Sequence, residues 1–529
     1  MIMLSRATRL AVGASAVASV CVSALGAGQT FTVVNMIPAA YSWEVRQNAE
    51  PNVSVNPKNT SLIVASAEVN GQQSICSKKR VAVFVSGDGG LTWQLDCIVP
   101  KRQTDTDAVD MTVRFSGDGL SLYGGVMTTS DGYYFSTKVF GLSKPKMFFG
   151  TMTPAILTAA LTTGTPTPIE PRVFFSSLDI DQPYVQASPG STDKTLIVGM
   201  DDLASWSDVA PLCASGGVIV VQDPWLLTGI LSHSTCLAKR PSMGVTPAVR
   251  TAMHPDGTAY GVFYRPVGDQ GGDSVDVVVV RNDAGISPAT FKSLRDAPAT
   301  LGAGTLAGTN VADCAQRDGE IGFRAITCRM SPVTYFDDEG FGLRRRVRAD
   351  LSIAVDPANN RRVYVAWADS VLGSPSHQTI HVMRSDDGGS TWRNDLFTRG
   401  DIVNPALAVA DDGAVGLLFQ HLVEGRWQTW FILSTDHFAT GAPTLLAETP
   451  VCPPGAHGQP YIGDYIHLEA RGNNFYGVFS ASNDLAASTF PQGVRTLRSY
   501  DNGKPVSDYG RVSVSIDPYF VKVDRTGPP

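Results

Sequence analysis

Ser86-Gly87-Asp88-Gly89-Gly90-Leu91-Thr92-Trp93 recurs in the second half of the chain as Ser385-Asp386-Asp387-Gly388-Gly389-Ser390-Thr391-Trp392. Both copies fit Ser-x-Asp-x-Gly-x-Thr-Trp. The pattern reads as a hairpin turn. Ser and Asp side chains fold back onto backbone N–H groups, Gly supplies a positive φ, and Trp opens the returning strand and covers the turn. Two eight-residue matches in one chain signal internal repetition.

Outward from each turn lies a larger unit: a short strand, a Pro/Asn/Asp/Gly turn, and a second apolar strand. One copy runs Asn52-Val53-Ser54-Val55-Asn56-Pro57, then Ser61-Leu62-Ile63-Val64-Ala65-Ser66. A near-copy runs Leu351-Ser352-Ile353-Ala354-Val355-Asp356-Pro357, then Arg362-Val363-Tyr364-Val365-Ala366-Trp367. Weaker copies start near Met111, Tyr184, Ala248, Ala406 and Ile466. Seven copies at spacings of about 50–100 residues suit propeller blades with insertions. The expected fold is all-β: a single β-propeller of four-stranded antiparallel blades, seven favoured, with long inter-blade insertions near 141–170 and 286–348. The Ser-x-Asp turn would join third and fourth strands. Partial copies stand at Ser434/Asp436/Thr440, at Asp283/Gly285 and in Ser499-Tyr500-Asp501-Asn502-Gly503, whereas Ser116-Gly117-Asp118-Gly119 would join first and second strands.

The chain has 529 residues, 51 Gly, 33 Pro and a formal net charge of −7, which gives no support to bulk nucleic-acid binding. Arg6 and Arg9 precede an apolar run from Leu10 to Leu25, so residues 1–26 read as a signal peptide and the mature chain as secreted or periplasmic. Later segments lack the apolar length of a membrane span. Residues 27–50 read as a lead-in and 51–529 as the propeller. Export suits disulfides, and Cys76/Cys97, Cys213/Cys236 and Cys314/Cys328 are close pairs, with Cys452 left over.

Antiparallel order assigns the faces. The Ser-x-Asp turns mark one face; the starts of first strands and the ends of second strands mark the other. That second face carries Glu50, Asp110, Asp181, Asp350, Asn404 and Asp464 on first strands, and Glu68, Asp202, Tyr264, Arg265, Asp369, His421 and Asp484 on second strands. A single acid before a strand usually accepts local backbone hydrogen bonds. A convergent set raises its own pKa values, supplies acid and base, or holds a cation such as calcium. No cofactor is required. Arg344-Arg345-Arg346-Val347-Arg348 reads as a solvated rim, and His254, His421 and His467 are too dispersed to form a triad.

The repeated turn resembles the Asp-box of sialidase-like (BNR repeat) β-propellers. The resemblance implies a structural box, with Ser86, Asp88, Gly90, Trp93, Ser385, Asp387, Gly389 and Trp392 as its fasteners and the site elsewhere. It implies an exported glycan-processing protein and a glycan partner. Six blades, as in sialidases, is the alternative count. The Phe/Tyr-Arg-Ile-Pro motif of a strict sialidase is absent, and Tyr264-Arg265-Pro266 sits in a middle blade instead. The leading expectation is a glycoside hydrolase using Glu68, Asp350, Asp369 and Asp464, with Arg265, Tyr264, Glu50, Asp110 and Asp181 at the substrate. The alternatives are a non-catalytic glycan- or protein-binding propeller, and a polysaccharide lyase with Tyr264 or His421 as base.

Overall fold

The computed structural model describes residues 29–38, 48–69, 80–98, 107–129, 146–152, 168–169, 176–178, 180–190, 196–202, 217–221, 233–236, 249–266, 275–282, 314–318, 324–328, 351–371, 374–450, 462–484, 488–490, 493–495, 506–507, 510–511 and 516–525. Among them every element is a strand, and the fold is an all-β propeller. Alternating or wholly apolar runs such as Val81-Ala82-Val83-Phe84-Val85 explain this, because each sheet is covered on both faces by its neighbours.

Among the described residues seven sheets have four or five strands, which run from the axis outward in the following order. Sheet one is Asn48–Val55, Ile63–Val69, Arg80–Ser86 and Gln94–Ile98, with Pro168–Ile169 parallel at its edge. Sheet two is Asp107–Phe115, Leu122–Thr129, Lys146–Met152 and Ser176–Leu178. Sheet three is Ile180–Ala187, Leu196–Asp202, Gly217–Val221 and His233–Cys236. Sheet four is Arg250–Met253, Ala259–Pro266, Val275–Asn282, Arg324–Cys328 and Cys314–Asp318. Sheet five is Ser352–Asp356, Asn359–Val371, Ser374–Ser385 and Arg393–Arg399. Sheet six is Asp401–Val409, Val415–Val423, Arg426–Ser434 and Thr444–Pro450. Sheet seven is His467–Arg471, Asn474–Ser482, Ile516–Arg525 and, outermost, Gln29–Asn35.

The sequence copies starting at Asn52, Met111, Tyr184, Leu351, Ala406 and Ile466 fall on or directly before innermost strands; Ala248 lies outside the described residues, and the strand after it begins at Arg250. The segment expected as a lead-in supplies the outer strand of sheet seven, paired from Gln29↔Arg525 to Asn35↔Tyr519. The stretches expected as insertions hold Lys146–Met152 and the two outer strands of sheet four. Cys314 and Cys328 are register partners there, and Cys97 and Cys236 stand in strands of sheets one and three. Cys76, Cys213, Cys452 and the expected signal peptide lie outside the described residues.

Consecutive innermost strands are neighbours, and His467–Arg471 returns to Asn48–Val55. Short polar side chains bridge them in place of a ladder. Asn52 Oδ1 and Ser54 Oγ accept from Val113 N and Phe115 N at 3.1 and 2.9 Å. Thr112 Oγ1 accepts from Val185 N at 2.9 Å, and Ser352 Oγ from Leu407 N at 2.8 Å. Glu469 Oε2 accepts from Val55 N at 3.1 Å, joining sheet seven to sheet one.

Hydrophobic layers fill the spaces between sheets. Trp93, Phe84, Tyr476 and Phe520 pack between sheets one and seven, and Trp392, Trp367 and Tyr260 between sheets five and four. Burial of each such side chain contributes about 1.5–3 kcal/mol.

The repeated turns are wired alike. Ser86 Oγ donates to Asp88 Oδ1 at 2.8 Å and accepts from Gly90 N at 2.8 Å; Thr92 N and Oγ1 donate to Asp88 at 2.9 and 2.6 Å. Ser385, Asp387, Gly389 and Thr391 repeat these bonds at 2.8, 2.7, 2.8 and 2.6 Å. Burial pushes both carboxyls up, but the Thr, Ser and backbone hydrogen bonds prevail and hold them below the usual carboxylate range. Trp93 and Trp392 donate Nε1–H to Gly90 O and Gly389 O at 3.1 and 3.0 Å. Both turns lie between third and fourth strands, and Ser434-Asp436-Thr440 occupies the same place in sheet six. Ser116–Gly119 lies between first and second strands. Asp283, Gly285 and 499–503 lie outside the described residues.

Gly90 has φ +93°, and a Cβ there would stand 2.1 Å from Phe520 Cε1. Gly472 has φ +57° with open space around it. Gly90→Ala therefore carries conformational and steric costs together, and Gly472→Ala only the first. Chemical denaturation should show Gly90→Ala losing about 2–4 kcal/mol and Gly472→Ala about 1 kcal/mol. Equal losses would contradict the close approach of this turn to sheet seven.

Candidate active site

The site begins with backbone geometry. Four innermost strands carry a bulge: register shifts fall between Ala49 and Asn52, Val109 and Met111, Asp181 and Tyr184, and Val403 and Ala406. Glu50, Asp110 and Asn404 in three of these bulges have φ of 57°, 44° and 51°. Left-handed backbone is costly for these residues and re-aims their side chains. The register puts Ala49 opposite Glu68 at one end of sheet one and Ile63 opposite Ser86 at the other. Glu68 is thus about 17 Å along the strand from the Ser-x-Asp turn.

Asp110, Asp464 and Glu68 lie close enough to act on Glu50, and Asp110, Glu50 and Glu68 act on Tyr465. Gly463, at φ +88°, brings Asp464 in; a Cβ there would stand 2.7 Å from Glu50 N. Asn404 Nδ2 donates to Gly463 O at 3.2 Å and to Gln420 Oε1 at 2.8 Å, so its role is to hold this loop. Glu50 and Asp464 are buried at 5% and 6% exposure, while Glu68 and Asp110 are half-buried. Burial, then the charges of Asp110, Asp464 and Glu68, and a hydrogen bond with Asp110, hold Glu50 well above the usual carboxylate range. Burial, then the charges of Asp110, Glu50 and Glu68, raise Tyr465, whose hydroxyl donates to Asp110 Oδ1 at 3.3 Å.

Beyond Tyr465 the channel turns basic. The Arg250 guanidinium lies 5.3 Å from the Tyr465 ring centre and 5.0 Å from that of Tyr184. Arg114 stands 5.3 Å from the Tyr184 ring on another side. Arg114 Nη2 contacts His467 Nε2 at 2.5 Å and Tyr184 Oη at 3.2 Å. Burial and the charges of Arg114, Arg250 and Arg471 push the His467 pKa well down, so the imidazole is neutral. Asn52, Tyr184, Arg250, Tyr465 and His467 line a narrow axial recess with Leu351, Pro405 and neighbouring apolar groups.

Of the residues expected at the site, the structure brings together Glu50, Glu68, Asp110 and Asp464. Asp181 stands in Ile180–Ala187, Tyr264 and Arg265 in Ala259–Pro266, and Asp369 in Asn359–Val371, each placed by its backbone. Asp350 and the Arg344–Arg348 run lie outside the described residues. His254 lies on a turn with Asp256, and His421 on a second strand, apart from His467. The sequence reading did not single out Arg114, Tyr184, Arg250, Tyr465 or His467 for the site. Their signal is polar alternation on inner strands: Thr112/Arg114, Tyr184/Gln186, His467/Glu469/Arg471. Among the described residues no group of three or more His, Cys, Asp or Glu side chains has the arrangement of a metal site. No helix among them is long and apolar enough to cross a membrane.

No protein-family model and no curated protein matches the chain. Solved structures do. A sialidase of Trypanosoma rangeli in complex with the inhibitor DANA is 12% identical over 90% of this chain, with a TM-score of 0.36. This chain spans 55% of that sialidase's length. The α-L-arabinofuranosidase Arb93A of Fusarium graminearum is 8% identical over 94% of this chain and 98% of its own, with a TM-score of 0.40. A PL25 ulvan lyase is 8% identical over 83% of this chain and 92% of its own, with a TM-score of 0.41. The likeness is one of strand arrangement, and no reaction is carried over from it.

Glu50 binds its proton more tightly in the folded than in the unfolded state. Its contribution to stability is therefore present below the unfolded pKa and is lost as pH rises through the raised folded one. Glu50→Gln keeps a neutral donor toward Asp110 and removes the titration. In thermal unfolding across a pH series, the variant should gain on wild type as pH rises from acidic to neutral. A constant difference at every pH would contradict the burial and charge crowding assigned to Glu50.

Proposed function

We propose that this chain is an exported, seven-bladed, Asp-box propeller that hydrolyses glycosidic bonds in extracellular glycans. The observation that carries the reading is the convergence of Glu50, Glu68, Asp110 and Asp464 on the face away from the repeated turns. Glycoside hydrolysis needs two carboxyls with unequal proton affinities beside one bond. Burial divides the labour. Glu68 and Asp110 reach solvent and would touch substrate; Glu50 and Asp464 lie behind them and set the proton balance. One exposed carboxyl protonates the leaving oxygen. The other, ionised, activates water at the anomeric carbon or forms a glycosyl intermediate. This revises the sequence-based choice: Asp110 moves to the chemistry and Asp464 to its support. Asp350 and Asp369 remain candidates for the same face from sheet five, with Asp181, Tyr264 and Arg265 as substrate contacts.

The lyase reading would draw on a His–Tyr–Arg set, which Tyr184, Arg250, Tyr465 and His467 provide. His467 of that set is only 8% exposed and lines a narrow recess, so a sugar ring has no room beside its imidazole. Hydrolysis at the acidic mouth is the better-supported chemistry.

The test is a panel of sialosides, arabinans and uronic-acid glycans, scored separately for new reducing ends and for unsaturated uronic-acid absorbance. Reducing ends are expected, with Glu68→Gln and Asp110→Asn lowering turnover about 100- to 10,000-fold at unchanged Tm. Unsaturated ends would establish the lyase. Binding without turnover, unaffected by either substitution, would establish the non-catalytic propeller.

A further inference from the structure

The basic layer under the mouth has two features that the glycan reading does not use. Arg114 is 4% exposed, and its polar partners among the described residues are all neutral. Nη1 donates to Asn52 Oδ1 at 2.7 Å, Val53 O at 3.1 Å and Val113 O at 2.5 Å; Nη2 meets Tyr184 Oη and His467 Nε2; Nε reaches Gln186 Oε1 at 3.4 Å. A buried guanidinium ordinarily has an anionic partner, because neutral acceptors satisfy its N–H groups and leave its charge uncompensated.

The second feature is His467. Nε2 faces an obligate donor in Arg114, so Nε2 accepts and the ring proton sits on Nδ1. Nδ1 is buried and has no hydrogen-bond partner. An orphan donor of this kind calls for a ligand acceptor. His467 lines the axial recess together with Arg250, Asn52 and Tyr184.

The charges acting on His467 are of one sign. The groups acting most strongly on His467 are the guanidiniums of Arg114, Arg250 and Arg471. Glu469 is engaged by Arg471 and by Val55 N–H. Asp110 of the mouth accepts from the Tyr465 hydroxyl. A water molecule would satisfy Nδ1–H but leave the positive charge in place. The recess has room for about one or two water-sized groups, which excludes a sugar acid or a phosphate ester.

We infer that the axial recess binds a small monovalent anion of halide size, which accepts from His467 Nδ1–H beside Arg250 and balances the buried charge of Arg114. The anion would fix the floor on which Tyr465 and the acidic mouth rest. It is independent of whether the mouth hydrolyses glycans.

Thermal unfolding of the full chain in sodium gluconate, with chloride titrated in at constant ionic strength, tests the inference. The expected result is a saturable rise in Tm with chloride, reproduced by bromide and lost in His467→Phe. Equal Tm in chloride and gluconate, or a rise that survives in His467→Phe, would overturn it. Should that variant fail to fold, crystals of the unaltered protein grown in bromide decide alone. An anomalous peak between His467 and Arg250 supports the site. Peaks confined to the outer surface, or a water at that position, would rule it out.

Discussion

Everything at the axis depends on the pairing of Gln29–Asn35 with Ile516–Arg525. These strands come from opposite ends of the described chain, so their pairing carries a large loop-closure cost. It is compensated by an uninterrupted antiparallel ladder and a buried polar knot. Asn35 Nδ2 donates to Asp517 Oδ2 at 2.6 Å, Asn483 Nδ2 reaches the same oxygen at 3.2 Å, and Tyr519 Oη donates to Ser482 O at 3.2 Å. With this strand in place, sheet seven packs Phe520 against Trp93 of sheet one, ring centres 5.2 Å apart. Without it, Ile516–Arg525 would be a bare edge, and sheets seven and one would lack the rigid contact that brings Asp464 to Glu50.

Closure makes the innermost strands crowd, and crowding explains the bulges. Strands that converge on an axis have no space for a continuous row of side chains at their entry ends. One extra residue in a bulge turns the backbone and aims an acidic side chain across the mouth. The left-handed φ at Glu50 and Asp110 is the conformational cost of that aim, offset by the packing that fixes both flanks. Gly463 is the complementary concession, since a side chain there would strike Glu50.

The sequence made the turns and inner strands legible because each position answers to one local rule. Ser, Asp, Gly and Trp are needed by the turn, and Val/Ile alternation by a strand covered on both faces. The outer strands were hidden. Lys146–Met152, Cys314–Asp318 and Gln29–Asn35 are partnered from a distance, and no neighbouring turn signal announces them. The acids at strand entries could be named from topology, since antiparallel order alone assigns them a face. Arg114 and His467 could not. Arg114 is the penultimate residue of one inner strand and His467 the first of another; polar alternation marks both, but the role of each arises from a contact between sheets two and seven.

The order of charge along the axis follows from keeping acid and base layers apart. The Tyr465 ring lies against Arg250 and its hydroxyl on Asp110. Cation–π contact draws the guanidinium to the ring face without a proton transfer, and burial keeps the phenol neutral. His467 does the same below: held neutral by burial and three guanidiniums, it accepts from Arg114 without adding charge. Two neutral aromatic groups thus carry the contacts where the acidic mouth meets Arg250 and Arg114. Glu50 keeps its raised proton affinity through burial and through the carboxylates crowded around it.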